Sequence, residues 1–147
     1  MIRRARADEV AWIAATIAAA FSVYVPRMGR LPAPMTADHG ALVAAGEVHV
    51  LEEAGGRLGL IVQRAAADHL YIDILAVAPE AQHRGVGRRL LDFAEAEARR
   101  LGLPTLRLFT NASMTENLRF YPRLGFRPIA ARVEDGFDRI YFEKRLT

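Results

Sequence analysis

The chain has 147 residues, of which 52% are hydrophobic and 25% are charged, so it is long enough for one globular domain with a buried core. Its net charge of +3 favours anionic ligands, and arginine supplies it, because Lys144 is the single lysine. The sequence contains no cysteine, which excludes disulfide bonds, thiolate metal sites and a covalent cysteine intermediate. We therefore predict a single domain over residues 1–147.

The first third of the chain predicts short strands mixed with helices, because apolar residues at helical spacing alternate with strand-like runs and with proline and glycine. The predicted elements are a strand over Ile2–Ala5, a helix capped by Asp8 and running to Phe21, a loop over Tyr24–Pro34, a helix over Ala37–Ala45 and a strand over Val48–Glu52.

The rest of the chain predicts a hairpin, a crossover and a final strand. The elements are strands over Leu58–Gln63 and Leu70–Val77 joined by a turn at Ala65–Asp68, a helix over Val86–Leu101, a strand over Thr105–Thr110, a helix over Thr115–Leu124 and a strand over Ile140–Lys144. The succession of strand, long helix and strand in its middle predicts a parallel crossover, and the whole predicts an α+β fold.

The N-terminus superficially resembles a secretory signal, since MIRR precedes the apolar stretch Val10–Phe21. Asp8 and Glu9 interrupt it where a continuous apolar run should begin, so no signal peptide is predicted. No segment is predicted to cross a membrane.

The segment Gln82–Arg88, between a strand and the longest helix, is rich in glycine and arginine. Glycines let a backbone approach a ligand closely, and the first N–H groups of a helix have no partner within the helix. Several such donors can hold a pyrophosphate. The segment therefore predicts an anion site, with a glycine-rich turn that only caps a surface helix as the alternative.

Two better-known phosphate motifs do not match this segment. A P-loop requires lysine followed by serine or threonine, whereas Gly87 is followed by Arg88 and Arg89. A dinucleotide fingerprint requires a third small residue at the place that Leu90 occupies.

Two motifs together suggest a family. They are Leu75-x-Val77-x-Pro79 followed by Gln82-x-x-Gly85-x-Gly87-Arg88, and Phe120-Tyr121-Pro122-Arg123-Leu124-Gly125-Phe126. The first resembles the acetyl-CoA-binding motif of the GNAT superfamily of N-acetyltransferases, and the second resembles the FYxxxGF segment of that superfamily. The order of predicted elements from Ile2 to Lys144 agrees, so the resemblance covers essentially the whole chain.

The resemblance implies a central twisted mixed sheet with helices on both faces and a V-shaped splay between the two middle strands. It further implies acetyl-CoA as cosubstrate, with the pantetheine arm on a bulged strand and the pyrophosphate at the start of the long helix. The implied cofactor-binding residues are Leu75, Ala76, Val77, Gln82, His83, Arg84, Gly85, Val86, Gly87 and Arg88. Tyr121 is implied as a general acid near the cofactor sulfur.

Without cysteine, we expect the acceptor amine to attack the thioester directly while both substrates are bound. Tyr121 is the candidate acid, with a role as a core aromatic as the alternative. Asp73 is the candidate base, because it interrupts an otherwise apolar strand. A solvated strand face or an arginine partner would also explain Asp73, and a water relay ending at Glu52 or Glu53 is a further possibility.

Many members of the family place an asparagine near the start of the Tyr121 helix, where this chain has Met114. Asn117 is a candidate to fill a related role in cofactor binding, and Asn111 is another. A place in the helix N-terminus is the alternative for Asn117.

The family usually shapes its acceptor pocket in the first loop, which here carries Tyr24, Arg27 and Met28. A mobile linker would explain these residues nearly as well. The four histidines show no metal-ligand spacing, so no metal is predicted.

These expectations combine into an acetyl-CoA-dependent N-acetyltransferase that acts on a primary amine of a small molecule or peptide. The alternative is a non-catalytic acyl-CoA-binding sensor or scaffold. Nucleic acid is not expected as a partner, because no aromatic and basic array is present. Cytoplasmic location follows from the missing signal and the implied cosubstrate, and the habit of the family suggests a homodimer.

Overall fold

The structure, a computed structural model, describes residues Met1–Leu146. Its strands and helices are β1 Ile2–Arg4, α1 Val10–Phe21, α2 Val25–Met28, α3 Ala33–Thr36, α4 His39–Ala44, β2 Val48–Glu53, β3 Gly56–Ala65, β4 Leu70–Val77, α5 Val86–Arg100, β5 Thr105–Asn111, α6 Thr115–Arg123, β6 Arg127–Glu134 and β7 Phe137–Arg145. The strands form a seven-stranded sheet in the order β1-β2-β3-β4-β5-β7-β6. Because β4 and β5 are parallel while β5 and β7 are antiparallel, the sheet is mixed, and the predicted fold class is confirmed.

The chain divides into two compact units. The first unit comprises Met1–Gln63 and Ile74–Phe93, and the second comprises Arg64–Asp73 and Ala94–Thr147. The boundaries fall within β3, β4 and α5. The single domain over residues 1–147 stays a prediction.

Helices cover both faces of the sheet in the first unit. Ile13 and Ile17 of α1 are completely buried in a cluster that includes Leu60 of β3. The preceding residue, Gly59, points the other way, because successive residues of a strand face opposite sides. A Cβ atom there would lie 3.0 Å from Val86 Cγ1 and 3.3 Å from Leu90 Cδ1, so α5 packs on that face.

The second unit packs one face of its strands against α6 and the end of α5. Leu108 pairs with Phe142 across β5 and β7, and the Phe142 ring lies 5.9 Å from the ring of Tyr121 in α6. Lys144 Nζ of β7 donates to Glu95 Oε2 of α5 at 3.2 Å. Phe109, one residue along, belongs to the opposite face of these strands.

The pairing between β4 and β5 is short. It covers only Leu70–Ile72 against Leu106–Leu108, although β4 continues to Val77. Beyond Leu108, β5 keeps its partners on β7 as far as the pair Asn111 and Arg139. The predicted splay between the two middle strands stays a prediction.

One predicted segment was wrong, and one strand was missed. The predicted loop Tyr24–Pro34 contains the helix α2 and enters α3, because Pro26 and Pro34 occupy the first turns of helices, where proline is tolerated. Strand β6 was not predicted, because most of its residues are exposed and it lacks the alternation of a half-buried strand.

Strand β6 forms one edge of the sheet and pairs with β7 on its inner side. Pro128 lies within it, and the register shifts between Pro128 and Ala130. Val133 is 72% exposed near its end. The strand is thus an irregular edge with an interrupted row of N–H donors.

One helical stretch, Ala7–Met28, is long and apolar enough to cross a membrane by length and composition alone, contrary to the prediction. Ile13 and Ile17 within it are buried in the core of the first unit. A core helix of a soluble protein and an N-terminal signal sequence pass the same test, so the stretch is weak evidence for a membrane span.

A buried carboxylate ties the first strand to the start of α1. Glu9 is 1% exposed, and it accepts hydrogen bonds of 2.8 Å from both Nη atoms of Arg3 and from the backbone N–H of Arg6. Arg57 Nη1 lies 3.3 Å from Glu9 Oε2. The hydrogen bonds from Arg3 lower the pKa of Glu9 to about 2. Glu9, rather than the predicted Asp8, therefore organises this helix start.

We expect Glu9→Gln to lower the free energy of unfolding by about 3 kcal/mol near neutral pH, because it removes the buried anion that Arg3 and the Arg6 backbone bind. The pKa of Glu9 falls from 4.5 to about 2 on folding. Its contribution is therefore complete above pH 4.5 and lost as the pH falls towards 2. Urea unfolding across this range should show the two proteins converging in acid.

The control is Asp8→Asn, since Asp8 also pairs with an arginine, at 3.3 Å from Arg6, but is 75% exposed. It should change the free energy of unfolding by less than about 0.5 kcal/mol. Equal losses in the two variants would contradict a special role for Glu9.

Candidate active site

The predicted site residues fall in both units. The β4 residues Leu75–Val77 and the segment Gln82–Arg88 belong to the first unit, and Asp73, Asn117 and Tyr121 belong to the second.

The loop Gln82–Gly85 is exposed along its whole length and leads directly into α5. His83 and Gly85 have positive φ angles of 63° and 76°. A Cβ atom on Gly85 would meet nothing within 4 Å, so the backbone conformation, not the space, favours glycine there. The loop therefore presents an open backbone to solvent.

The helix that follows is firmly held at its first turn. Val86 and Leu90 are buried beside Gly59, and Arg89 N–H donates to Gly85 O at 3.1 Å. The N–H groups of residues 86–88 precede this first helical bond and lack a partner within the helix. The fold thus fixes a helix N-terminus, with its partial positive charge, behind an exposed loop.

The cationic side chains near this loop divide into two kinds. Arg89 Nη2 lies 2.7 Å from Glu53 Oε2, and this hydrogen bond lowers the pKa of Glu53. Arg84 and Arg88 are exposed and have no ion-pair partner among residues Met1–Leu146. Arg84 and Arg88 are therefore the side chains that remain to bind an anion here.

The predicted β4 residues offer mainly their backbone. Ala76 is 1% exposed and packs in the core cluster with Ile13 and Ile17, so its side chain is unavailable to a ligand. Leu75 and Val77 are half-buried on the opposite side of the strand. The predicted bulge in β4 stays a prediction.

Tyr121 lies in α6 and is 7% exposed. Its ring centroid lies 5.2 Å from Phe120, 5.6 Å from Phe126 and 5.9 Å from Phe142. The aromatic core packing that the sequence left open as an alternative is thus present. This packing fixes the position of the Tyr121 ring and is compatible with a further role for its hydroxyl.

Asn117 lies in α6 and is bound locally. Its Nδ2 donates to Thr110 Oγ1 at 3.1 Å and approaches Met114 Sδ at 3.7 Å. Thr110 Oγ1 also lies 3.3 Å from Met114 Sδ, and Met114 is buried. Asn111 Oδ1 accepts from Ser113 N–H at 2.9 Å. These contacts give both asparagines a structural role at the helix start.

Asp73 has an arginine partner, which is one of the explanations that the sequence left open. Arg64 Nη2 donates to Asp73 Oδ2 at 2.8 Å, and the two side chains are 39% and 28% exposed. Asp73 Oδ1 has no hydrogen-bond partner among residues Met1–Leu146. The carboxylate is thus oriented through one oxygen and open at the other.

Arg64 was not singled out from the sequence. The predicted turn at Ala65–Asp68 was the available signal, because a hairpin brings the end of β3 beside the start of β4. Tyr71 lies under the same arginine, with the guanidinium 5.6 Å from its ring centroid. Burial and the nearby Asp73 raise the pKa of the Tyr71 hydroxyl, which therefore stays protonated.

Glu52 and Glu53, considered for a proton relay, both have arginine partners. Glu52 Oε2 lies 3.2 Å from Arg3 Nη2, and this hydrogen bond lowers the pKa of Glu52. Since Arg89 lowers the pKa of Glu53 in the same way, both carboxylates are weakened as proton acceptors.

The acceptor candidates Tyr24, Arg27 and Met28 lie at the start of the helical segment that replaces the predicted loop. The Arg27 guanidinium lies 5.2 Å from the Tyr24 ring centroid, and Met28 ends α2. No group of three histidine, aspartate or glutamate residues within Met1–Leu146 is arranged to hold a metal ion.

We expect Gly85→Ala to lower the free energy of unfolding by about 1 kcal/mol, because alanine resists a positive φ angle. Gly40→Ala is the matched control, since Gly40 lies in α4 and a Cβ atom there makes an ordinary contact of 3.6 Å with Asp38 Oδ1. That variant should keep or raise stability. Urea titration compares them, and a stabilised Gly85→Ala would contradict the described loop conformation.

Solved structures with the same fold are acetyltransferases. The PaiA N-acetyltransferase from Thermoplasma acidophilum, solved in complex with coenzyme A, matches with a TM-score of 0.80 and 17% identity over 99% of this chain and 98% of that chain. The IAA acetyltransferase from Bacillus cereus matches with a TM-score of 0.72 and 21% identity over 99% of both chains. At these identities the likeness establishes the fold.

A third structure, a GNAT family acetyltransferase from Elizabethkingia anophelis with acetyl-CoA bound, matches with a TM-score of 0.65 and 24% identity. It covers 72% of this chain and 80% of that chain. In sequence, the model of the acetyltransferase (GNAT) domain matches residues 44–128, which include the loop before α5 and the Tyr121 motif. This match spans more than half of the chain, and the chain therefore belongs to the GNAT acetyltransferase family.

Proposed function

We propose that this protein transfers the acetyl group of acetyl-CoA directly onto a primary amine of a small molecule or peptide. The observation that carries the proposal is the exposed loop Gln82–Gly85 in front of the fixed N-terminus of α5, with two unpaired arginines beside it. This is an anion site on a fold whose relatives include proteins solved with coenzyme A and acetyl-CoA.

The residues present fit a pyrophosphate-bearing cosubstrate. The N–H groups of residues 86–88 and the guanidinium groups of Arg84 and Arg88 would hold the phosphates, and the backbone of Leu75 and Val77 would pair with the pantetheine arm. When bound, acetyl-CoA supplies an acyl group activated as a thioester, whose C–S bond is exchanged for an amide C–N bond.

We expect Arg88→Gln to weaken coenzyme A binding by about tenfold or more, because a hydrogen bond to a charged group contributes roughly 1.5 to 3 kcal/mol. Arg89→Gln is the matched control, since the neighbouring Arg89 is already bound to Glu53. It should change the dissociation constant by less than about threefold. Titration calorimetry with coenzyme A measures both, and equal losses would contradict the division between paired and unpaired arginines.

The acceptor amine must lose a proton before it attacks. An amine with a pKa near 10.4 is only about one part in a thousand neutral at pH 7.4, which costs roughly 4 kcal/mol without a base. In the proposal Asp73 takes this proton through Oδ1, while Arg64 holds Oδ2. Of the acids considered, Asp73 is preferred, because it lies in β4 two residues before Leu75, whose backbone is proposed to pair with the pantetheine arm.

Tyr121 is proposed as the acid that gives its hydroxyl proton to the departing sulfur. Three phenylalanine rings hold its ring in place, which favours a constant hydroxyl position. A tyrosine hydroxyl is protonated at neutral pH and can donate. Asp73 and Tyr121 then account for the two proton movements of the reaction.

We expect Tyr121→Phe to lower kcat by about 100-fold, because a positioned acid typically contributes that much or more. Phenylalanine keeps the ring packing, so the affinity for coenzyme A should stay within about threefold. The assay follows free coenzyme A released across a panel of amino acids, polyamines, aminoglycosides, aryl amines and short peptides.

Tyr141→Phe is the control, since the Tyr141 hydroxyl donates to Glu134 and has a structural partner. It should keep kcat within about threefold of the native value. Release of coenzyme A that no amine stimulates, together with intact coenzyme A binding, would instead support the non-catalytic acyl-CoA-binding sensor or scaffold. The catalytic roles of Asp73 and Tyr121 would then fail.

We propose that the acceptor pocket includes Tyr24, Arg27 and Met28, as the resemblance to the family implies. No metal and no nucleic-acid partner are proposed. The homodimer and the cytoplasmic location stay predictions.

A further inference from the structure

Three arginines surround one buried carboxylate in the second unit. Glu143 of β7 is buried, and its Oε2 accepts a hydrogen bond of 3.0 Å from Arg107 Nε of β5. Arg145 Nε lies 3.6 Å and Arg127 Nη2 lies 3.9 Å from the other carboxylate oxygen, Oε1. The group formed by Arg107, Arg127, Arg145 and Glu143 is called the arginine cluster below.

The register of the sheet builds this cluster. Arg107 is opposite Glu143 across β5 and β7, and Glu143 is opposite Arg127 across β7 and β6. Side chains directly opposite each other point to the same face of a sheet. Arg145 is two residues beyond Glu143 in β7, so it points to this face as well. The sheet thus brings the cluster together from three strands.

Arg127 and Arg145 lie beside Glu143 without a hydrogen bond to it, because 3.6 Å and 3.9 Å are too long for one. The two arginine side chains are 63% and 71% exposed. Among residues Met1–Leu146, no other carboxylate forms an ion pair with either of them. Each guanidinium carries five N–H donors, so both side chains have donors available for a ligand.

The cluster has an excess of positive charge. Three guanidinium groups surround one carboxylate, which leaves two positive charges uncompensated. Asp68 also attracts Arg107, but it is 67% exposed and lies 2.7 Å from His69, so it compensates the cluster only weakly. Since Arg127 and Arg145 approach the same oxygen atom, one small anion can reach both. An anion with two charges would neutralise the excess.

We infer that the arginine cluster binds a phosphate dianion, either free phosphate or the phosphate group of a monoester. Guanidinium groups match the geometry of phosphate oxygens and bind them through paired hydrogen bonds. A single negative charge would neutralise only half of the excess. The proposed cosubstrate loop Gln82–Arg88 belongs to the first unit, whereas the cluster belongs to the second, so this inference goes beyond the proposed acetyl transfer and does not depend on it.

The test compares methyl phosphate, a dianion at about pH 7.5, with dimethyl phosphate, which has the same tetrahedral shape and one charge. NMR of the full isotope-labelled chain follows the backbone N–H signals of Arg107, Arg127 and Arg145 at constant ionic strength. We expect saturable shifts and a dissociation constant at least about tenfold lower for methyl phosphate. Equal affinities, or no shift of these signals, would overturn the inference.

Arg145→Gln should weaken the binding of methyl phosphate by about tenfold, and Arg145→Lys, which keeps the charge without the fork, should weaken it less. Arg132→Gln is the matched control, since Arg132 is exposed in β6 and its guanidinium lies 4.9 Å from the Tyr141 ring centroid. This variant should leave the dissociation constant within about threefold of the native value. Equal losses in both glutamine variants would indicate a general effect of surface charge and contradict a defined site.

Glu143→Gln changes affinity in the opposite direction. It removes the negative charge that competes with the ligand, so it should tighten the binding of methyl phosphate by about threefold or more. Weaker binding in this variant would overturn the assignment of a dianion.

Inorganic phosphate in the same titration distinguishes the two sources of the ligand. Tighter binding of methyl phosphate would indicate a phosphorylated molecule, and tighter binding of inorganic phosphate would indicate the free ion. Shifts confined to Gln82–Arg88 would show that phosphate binds only at the proposed cosubstrate loop, and they would overturn the inference. These comparisons use the native protein and need no variant to fold.

Discussion

The start of α5 is held by a contact that tolerates no side chain. At Gly59 a Cβ atom would lie 2.9 Å from the backbone oxygen of Ala76 and 3.0 Å from Val86 Cγ1. The backbone oxygen cannot rotate away as a side chain could, so β3, β4 and α5 meet only because residue 59 is glycine. Val86 opens the helix, and this packing therefore fixes the direction in which the first free N–H groups point.

That constraint explains how a fully exposed loop can be part of a preorganised site. Residues Gln82–Gly85 make few contacts of their own, yet both ends of the segment are anchored: Ala81 and Val86 are buried. A ligand at this place would meet donors whose positions the core has already fixed. Because the helix end is already ordered, binding would cost little conformational entropy there.

Some charged residues of this protein form ion pairs that stabilise the fold, and others are proposed to take part in the reaction. Glu9, Glu52 and Glu53 each bind arginine, and their pKa values are lowered as a result. Glu53 and Asp73 each bind their arginine through one oxygen, Glu53 Oε2 to Arg89 and Asp73 Oδ2 to Arg64. The sequence shows an arginine-rich chain with many acids, and only the structure separates these roles.

The sequence predicted the parts of the fold that have strong local signals. The strand Leu70–Val77 and the helix from Val86 were correct to within a residue, because buried alternation, a glycine C-cap and helical spacing all apply there. Strand β6 was missed because it buries neither face. The Arg64 partner of Asp73 was missed because a hairpin register is a tertiary property that composition does not reveal.

The edge strand β6 has a consequence for self-association. Growth of a sheet by a neighbouring molecule needs a continuous row of outward N–H and C=O groups, and Pro128 and the shifted register interrupt that row. The other edge, β1, is only three residues long. Neither edge strand is therefore a good template for strands of other molecules, although Val133 of β6 is exposed. The addition of such strands is the first step towards fibrous aggregates.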